Sequence, residues 1–370
     1  MKRKNIAFVP RTFARVFGAP GDFTESEHLE FLLKADEAWE GAKKNDDYVA
    51  HVDSVAKQME MQTAKFTELE DPKKDNKAVV TWLNSCPITT EAATNDCSIT
   101  EDELETTSEE YEYELSQKTG FSIDAEKIRT GTYEFDEQVA DGLLKADKAL
   151  SEWWNYQYLL ALKSFAGANI AAIMGKTLPF TWDDAETRTN IPAASYNVGM
   201  MAKLIKTMIL NQVQNGFFIE SGDLFEAWWN ARNDGANGEG KGDKNRIDAL
   251  NMTFDMWSFA GAGLEENMFL VDKAAVAVKT YNRYTAKPVI QPAKIGQTWY
   301  TMNSRHLPGV QYDVIYEATC KNNGPGKSNI LHTWRIQTKG GIWLNPTPCP
   351  RDIGEETYQA TGVYGFIAVP

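Results

Sequence analysis

The stretch DGLLKADKALSEWWNYQYLLALKSFAG, residues 141 to 167, continues an apolar stripe at helical spacing that begins at Val139. Val139, Leu143, Ala146, Leu150 and Trp153 recur at alternating intervals of four and three residues, the period of one helix face. From Trp154 to Leu162 apolar residues occupy most of the circumference, so the spacing predicts a helix that becomes buried towards its C-terminal end. A helix of about 30 residues is roughly 45 Å long at 1.5 Å per residue, well beyond the average globular helix. It reads as a structural spine. Lys163, Ser164 and Asn169 interrupt its most apolar part, which is shorter than the roughly 20 residues of a membrane span, so no transmembrane helix is expected.

Upstream, Thr24 and Glu27 form a capping box ahead of Leu29, Leu32 and Leu33, predicting a helix from Thr24 towards Lys43. Before it, Lys2, Arg3, Lys4, Arg11 and Arg15 occur with no acid until Asp22, a basic arm for which an acidic neighbouring surface is the natural clamp. Residues 68 to 76 read as a loop and Ala78 to Leu83 as a short apolar run. EDELETTSEEYEYE, residues 101 to 114, holds eight acids, Glu109, Glu110 and Glu112 among them. Tyr111, Tyr113 and Leu115 alternate with the acids there, which fits an exposed strand or hairpin with a solvated face.

Downstream, Val198, Met201, Leu204, Ile205 and Met208 predict a second helix, with Gly216 as its left-handed cap before a strand at FFIE, 217 to 220. Residues 234 to 243 form a glycine-rich loop, and NMFLVDKAAVAVKT from Asn267 reads as a strand entering another short element. From Gln297 onward, short alternating runs separated by Gly, Pro and Asn make the last part β-rich. No internal repeat or linker divides the chain, so an α+β protein with interwoven packing units is expected.

Composition narrows the function. The 370 residues are 42% hydrophobic and 24% charged, as in folded proteins. With 38 basic against 52 acidic residues the net charge is −14, which disfavours a sequence-reading nucleic-acid binder. The cysteines Cys86, Cys97, Cys320 and Cys349 include no CxxC pair and read as reduced thiols in a cytosolic compartment. Pro10, Arg11 and Arg15 break the apolar core that a secretory signal would need.

No catalytic constellation emerges. GANGEGKG, Gly235 to Gly242, matches a phosphate loop through Lys241 but has Gly242 where a magnesium-binding hydroxyl belongs. Asp234, Asn237, Glu239 and Asp243 lack the ligand order of a calcium loop, and His28, His51, His306 and His332 form no HxxxH pair. The chain is therefore expected not to be an enzyme and to carry no cofactor or metal. Its eleven tryptophans, several adjacent as in Trp153–Trp154 and Trp228–Trp229, suit a core or a surface where one chain buries against another.

Several segments together resemble the major capsid proteins of tailed bacteriophages, the Hong Kong 97-like family. DGLLKADKALSEWWNYQYLLALKSFAG resembles the spine helix of that family's peripheral domain. NVGMMAKLIKTMILNQVQNGFFIESGDLFEAWWNA resembles a helix and strand of its axial domain. FDMWSFAGAGLEENMFLVDKAAVAVKT is similar to the segment around a buried strand, and SRHLPGVQYDVIYEATC and GGIWLNPTPCP resemble capsid sequences from phages of Bacteroidetes-type hosts.

The resemblance implies an N-terminal arm and first helix at 1–45, an extended β-hairpin loop region at 46–135 and a spine helix at 136–185. It places a mainly axial domain at 186–265 and a shared β-rich part at 266–370. It further implies hexamers and pentamers in an icosahedral head around double-stranded DNA bound without sequence specificity. Portal and scaffolding or decoration partners, no membrane, and a virion assembled in the host bacterial cytoplasm follow from it. Lys2, Arg3, Lys4, Arg11, Arg15, Glu109, Glu110, Glu112, Trp228 and Trp229 are then the candidate inter-subunit contacts. The competing expectation is a soluble carbohydrate- or partner-binding module using exposed tryptophans.

Overall fold

The computed structural model describes residues 23–44, 54–68, 77–83, 106–124, 134–213, 215–234, 250–290, 297–322, 328–347 and 349–370. Lys2, Arg3, Lys4, Arg11, Arg15, His51, the acids at 101–105 and the loop around Lys241 lie outside the described residues. In chain order the helices are α1 (Glu25–Lys44), α2 (Ser54–Met61), α3 (Phe135–Phe165), α4 (Ile170–Ile173), α5 (Val198–Leu210), α6 (Phe225–Asp234) and α7 (Met256–Ala262). The strands are β1 (Lys65–Glu68), β2 (Lys77–Leu83), β3 (Thr106–Glu112), β4 (Leu115–Asp124), β5 (Thr181–Asp183), β6 (Arg188–Pro192), β7 (Gly216–Glu220), β8 (Met252–Phe254) and β9 (Asn267–Asp272). They continue with β10 (Val276–Tyr281), β11 (Val289–Ile290), β12 (Gln297–Asn303), β13 (Gln311–Asn322), β14 (Ser328–Leu344), β15 (Cys349–Ile353), β16 (Glu356–Ala360) and β17 (Val363–Val369). The class is α+β, as expected from the sequence.

Two compact units divide the chain, each drawn from three segments. The first comprises Met1–Val49, Ser116–Leu150 and Tyr281–Lys339; the second comprises Ala50–Leu115, Ser151–Thr280 and Gly340–Pro370.

In the first unit, β11, β12, β13 and β14 follow one another in an antiparallel sheet, and β4 adds to β14. Helix α1 starts at the expected capping box: the Thr24 amide donates to Glu27 Oε2 at 2.7 Å and the Glu27 amide to Thr24 Oγ1 at 3.4 Å. Its buried face is not the leucine face. Leu29 and Leu33 are exposed, whereas His28, Phe31 and Ala35 are buried. The reason is the sheet's aromatic surface: Phe23, His28 and Phe31 meet Tyr300, Tyr316, His332 and Trp334, and Phe135 from α3 completes the box. Phe121 of β4 stacks on Trp334 with centroids 5.1 Å apart. Asp147 of α3 accepts hydrogen bonds from Ser304 Oγ at 2.6 Å and the Arg305 amide at 2.7 Å, fixing the β12–β13 connection.

In the second unit, the later half of α3 buries Trp154, Tyr158, Leu159 and Leu162. The buried stripe passes from Leu150 to Trp154 rather than to Trp153, which is only half-buried, and runs on through Tyr158 and Leu162 at intervals of four, so that it drifts round the helix. Gln58 of α2 donates to the Val276 carbonyl at 2.7 Å and accepts from Tyr158 Oη at 2.8 Å. The strands β5, β6, β17, β9, β7 and β8 form a mixed sheet in that order, with β17 parallel to β6 and antiparallel to β9. Every residue of β7 is buried, and Met200, Met201, Leu204 and Met208 of α5 pack into the same core as Phe218, Leu270 and Phe366. A separate antiparallel sheet runs β1, β2, β3.

Two sequence expectations are corrected here. Helix α5 caps at Asn211, and Gln212 takes the positive φ of 57°; Gly216 instead opens β7, where a Cβ would stand 2.9 Å from the Val271 carbonyl oxygen. The cysteines are not all reduced: Cys320 is a free, exposed thiol, but Cys349 is disulfide-bonded. Burial of Cys349 in β15 leaves it a small apolar site where a neighbouring sulfur can be held. Among the described residues no helix is long and apolar enough to cross a membrane.

Candidate interaction surfaces

Strand β3 forms one edge of its sheet, and its register on β2 sorts the acids onto two faces. Val80 stands opposite Glu109, Ala78 opposite Tyr111 and Lys77 opposite Glu112. Directly opposed residues share a face, so Glu109 and Tyr111 lie with the buried Ala78, Val80 and Trp82, while Glu110 and Glu112 lie with Lys77. Lys77 Nζ reaches Glu110 at 2.7 Å and Glu112 at 3.6 Å. The Tyr111 hydroxyl donates to Glu109 Oε2 at 2.9 Å, and burial, reinforced by that carboxylate, pushes the phenol up to about 12. Glu114 follows in the turn, exposed.

Beside this strand the second unit has a groove of about 320 Å³. Tyr111 and Trp343, with ring centroids 5.4 Å apart, form its aromatic floor; Leu160 of α3, 45% exposed, forms one wall and Glu112 and Glu114 its acidic rim. Trp343 folds back over Gly341, so that a Cβ at 341 would run into the indole. Gly341→Ala should therefore displace Trp343 at a cost of about 1–3 kcal/mol. A lowered urea midpoint with altered tryptophan emission is the expected result; an unchanged midpoint would mean the ring swings aside freely.

The second surface centres on α6. Trp228 is half-buried against the α5 core, whereas Trp229, about 100° further round the helix, is 52% exposed. Phe225 stacks on Trp229 with centroids 6.1 Å apart and meets Phe254 edge-on at 5.2 Å. Met256 packs beside Gly222, where φ is 117°, and is itself exposed, as is Trp257. Glu220, buried at the end of β7, accepts from the Gly222 amide at 2.7 Å and the Leu224 amide at 3.2 Å, setting the turn that starts α6. Burial raises its carboxyl to about 7.

Of the residues singled out from sequence, Glu109, Glu110 and Glu112 thus stand on an edge strand and Trp228 and Trp229 on a helix of another sheet. Lys2, Arg3, Lys4, Arg11 and Arg15 lie outside the described residues. Sequence reading missed Phe225, Met256 and Trp257; the Asp255 helix cap was the available signal, since first-turn residues behind a cap often project outward. It also missed the groove, whose walls come from three distant stretches of chain.

No family model matches the chain, and no curated protein does. Among solved structures, the chain is similar to the mature capsid of bacteriophage PhiM1 with a TM-score of 0.38 and 9% identity, over 80% of this chain and 83% of that one. It is also similar to the capsid of cyanophage P-SCSP1u, with a TM-score of 0.39 and 9% identity over 84% and 86% of the two chains. A third similarity is to the capsid of Staphylococcus phage Andhra, with a TM-score of 0.35 and 10% identity over 87% and 86%.

Proposed function

We propose that this chain is a structural subunit of a phage head, a major capsid protein of the Hong Kong 97-like type. The observation that carries the reading is the order of elements. A 31-residue helix is followed by a helix leading into a fully buried strand, then by a second buried strand and a β-rich end, in the order the sequence resemblance implies. An acidic edge strand, a basic arm and an exposed aromatic surface supply contacts of the kind that self-association needs.

On this reading the subunits form hexamers and pentamers that close around double-stranded DNA, with portal and scaffolding or decoration proteins as partners. The virion is their final location and the host cytoplasm their place of assembly. A sugar-binding platform would place several tryptophans on one open face, yet only Trp229 and Trp257 of the eleven are exposed.

Light-scattering mass and negative-stain microscopy of the purified chain, with and without co-expressed scaffolding candidates, test the proposal. Rings, tubes or shells are expected, and a monomer under every condition would overturn it. Deleting residues 1 to 20 should abolish shells while leaving a folded monomer; normal shells from the shortened chain would remove the arm from assembly.

A further inference from the structure

We propose that the polar pocket between β4, β13 and β14 of the first unit is a binding site for a phosphate group. The pocket holds about 390 Å³, inside the range of about 300–1,000 Å³ usual for small-ligand sites. Three cations line it, Lys118 of β4, Arg283 just after β10 and Lys339 of β14, against a single acid, Asp313 of β13. The chain as a whole has a net charge of −14, so this local balance runs against its average. All four residues belong to one unit, and the site does not depend on the shell reading.

The acid is a structural pin. Asp313 is 4% exposed, and its carboxylate accepts from the Arg283 amide at 3.0 Å and from the Tyr284 amide at 3.2 Å. Those bonds hold the bend that carries Arg283, so the acid positions a cation while backbone donors occupy its oxygens. Asp313 pairs with Gln337 across β13 and β14, and Gln337 and Lys339, two residues apart, share a face of β14. Ser116 and Lys118 share a face of β4 in the same way, and β4 pairs with β14. The three cations are thus brought round one pocket together with the Ser116 hydroxyl and the Gln117 and Gln337 amides, all able to donate. Like charges gathered in this way repel one another, and an oxyanion between them removes that repulsion while taking charge-assisted hydrogen bonds. Donors arriving from separate segments suit a tetrahedral anion with several acceptor oxygens better than a planar carboxylate. The groove beside β3, with its acidic rim, would repel the same ligand.

Isothermal titration calorimetry of the full chain with inorganic phosphate, and separately with a short DNA duplex, tests the site at matched ionic strength. Lys118→Gln with Arg283→Gln should weaken binding about tenfold; both side chains are exposed, and their loss leaves the backbone donors of the Asp313 pin in place. Lys163→Gln with Lys176→Gln removes the same charge from exposed positions elsewhere and should change binding less than about twofold. Selective loss of phosphate binding alone assigns the site to a free phosphate or small phosphate ester. Selective loss of duplex binding, with or without loss of phosphate, assigns it to the nucleic-acid backbone. The proposal is overturned if the pocket pair binds both probes as the parent does, if the two pairs of substitutions weaken binding equally, or if the parent binds neither probe.

Discussion

Acidification from about pH 6.5 to about pH 4 should remove on the order of 5 kcal/mol of stability through two buried histidines of the first unit. His28 is fully buried, and neither of its ring nitrogens has a hydrogen-bond partner. Burial, with repulsion from His332 added, holds its pKa down at about 3. Burial likewise holds His332 at about 4, its Nδ1 lying 2.7 Å from the Tyr316 hydroxyl. Both groups prefer to be neutral in the folded state and titrate near 6.5 when unfolded. Their contribution is therefore complete above pH 6.5 and is lost as the pH falls towards the folded values.

The buried carboxylates of the same unit act in the opposite sense, since burial raises Asp147 and Asp313. Comparison with His28→Leu isolates the histidine effect. Urea midpoints at pH 7 and pH 4.5 should diverge strongly for the parent and much less for the variant. Equal divergence in both would show that His28 is not the acid-sensitive group. Release of α1 from the sheet, seen as hydrogen exchange at the amides around Phe31, should accompany the loss.

Replacing Asp255 by alanine should cost about 3–5 kcal/mol. Its carboxylate takes the Ser54 amide at 3.0 Å, the Ser54 hydroxyl at 2.6 Å and, as the cap of α7, the Ser258 amide at 3.1 Å. Asp255 and both serines are buried, so water cannot take over these donors. Asp255→Asn keeps an acceptor oxygen and should lose roughly half as much. Denaturant unfolding of the three proteins measures the order; an alanine variant as stable as the parent would mean that α2 and α7 are held without this carboxylate.

The start of α1 and the course of α3 were legible because both are local: a capping box needs two residues and an apolar stripe needs only its own period. The face that α1 buries was not, because three leucines compete in its sequence with His28 and Phe31, and the choice is made by Tyr316 and Trp334 some 285 or more residues away. The end of α5 was misplaced for a related reason: glycine is the usual left-handed residue, but Gly216 is required where β7 closes on Val271. The acids of β3 read correctly as an exposed strand, whereas which of them faces inward depends on the β2 register. The Cys349 linkage has no local spacing to betray it.

The split of the Trp228–Trp229 pair gives the molecule a built-in optical gauge. Nine indoles are wholly or partly shielded, while Trp229 and Trp257 are open to solvent. A collisional quencher such as iodide therefore reaches a small, red-emitting fraction of the fluorescence, and any partner that covers the α6–α7 surface shifts that fraction to the blue and protects it. Association through this surface can thus be followed in unlabelled protein, by a change in quenching alone.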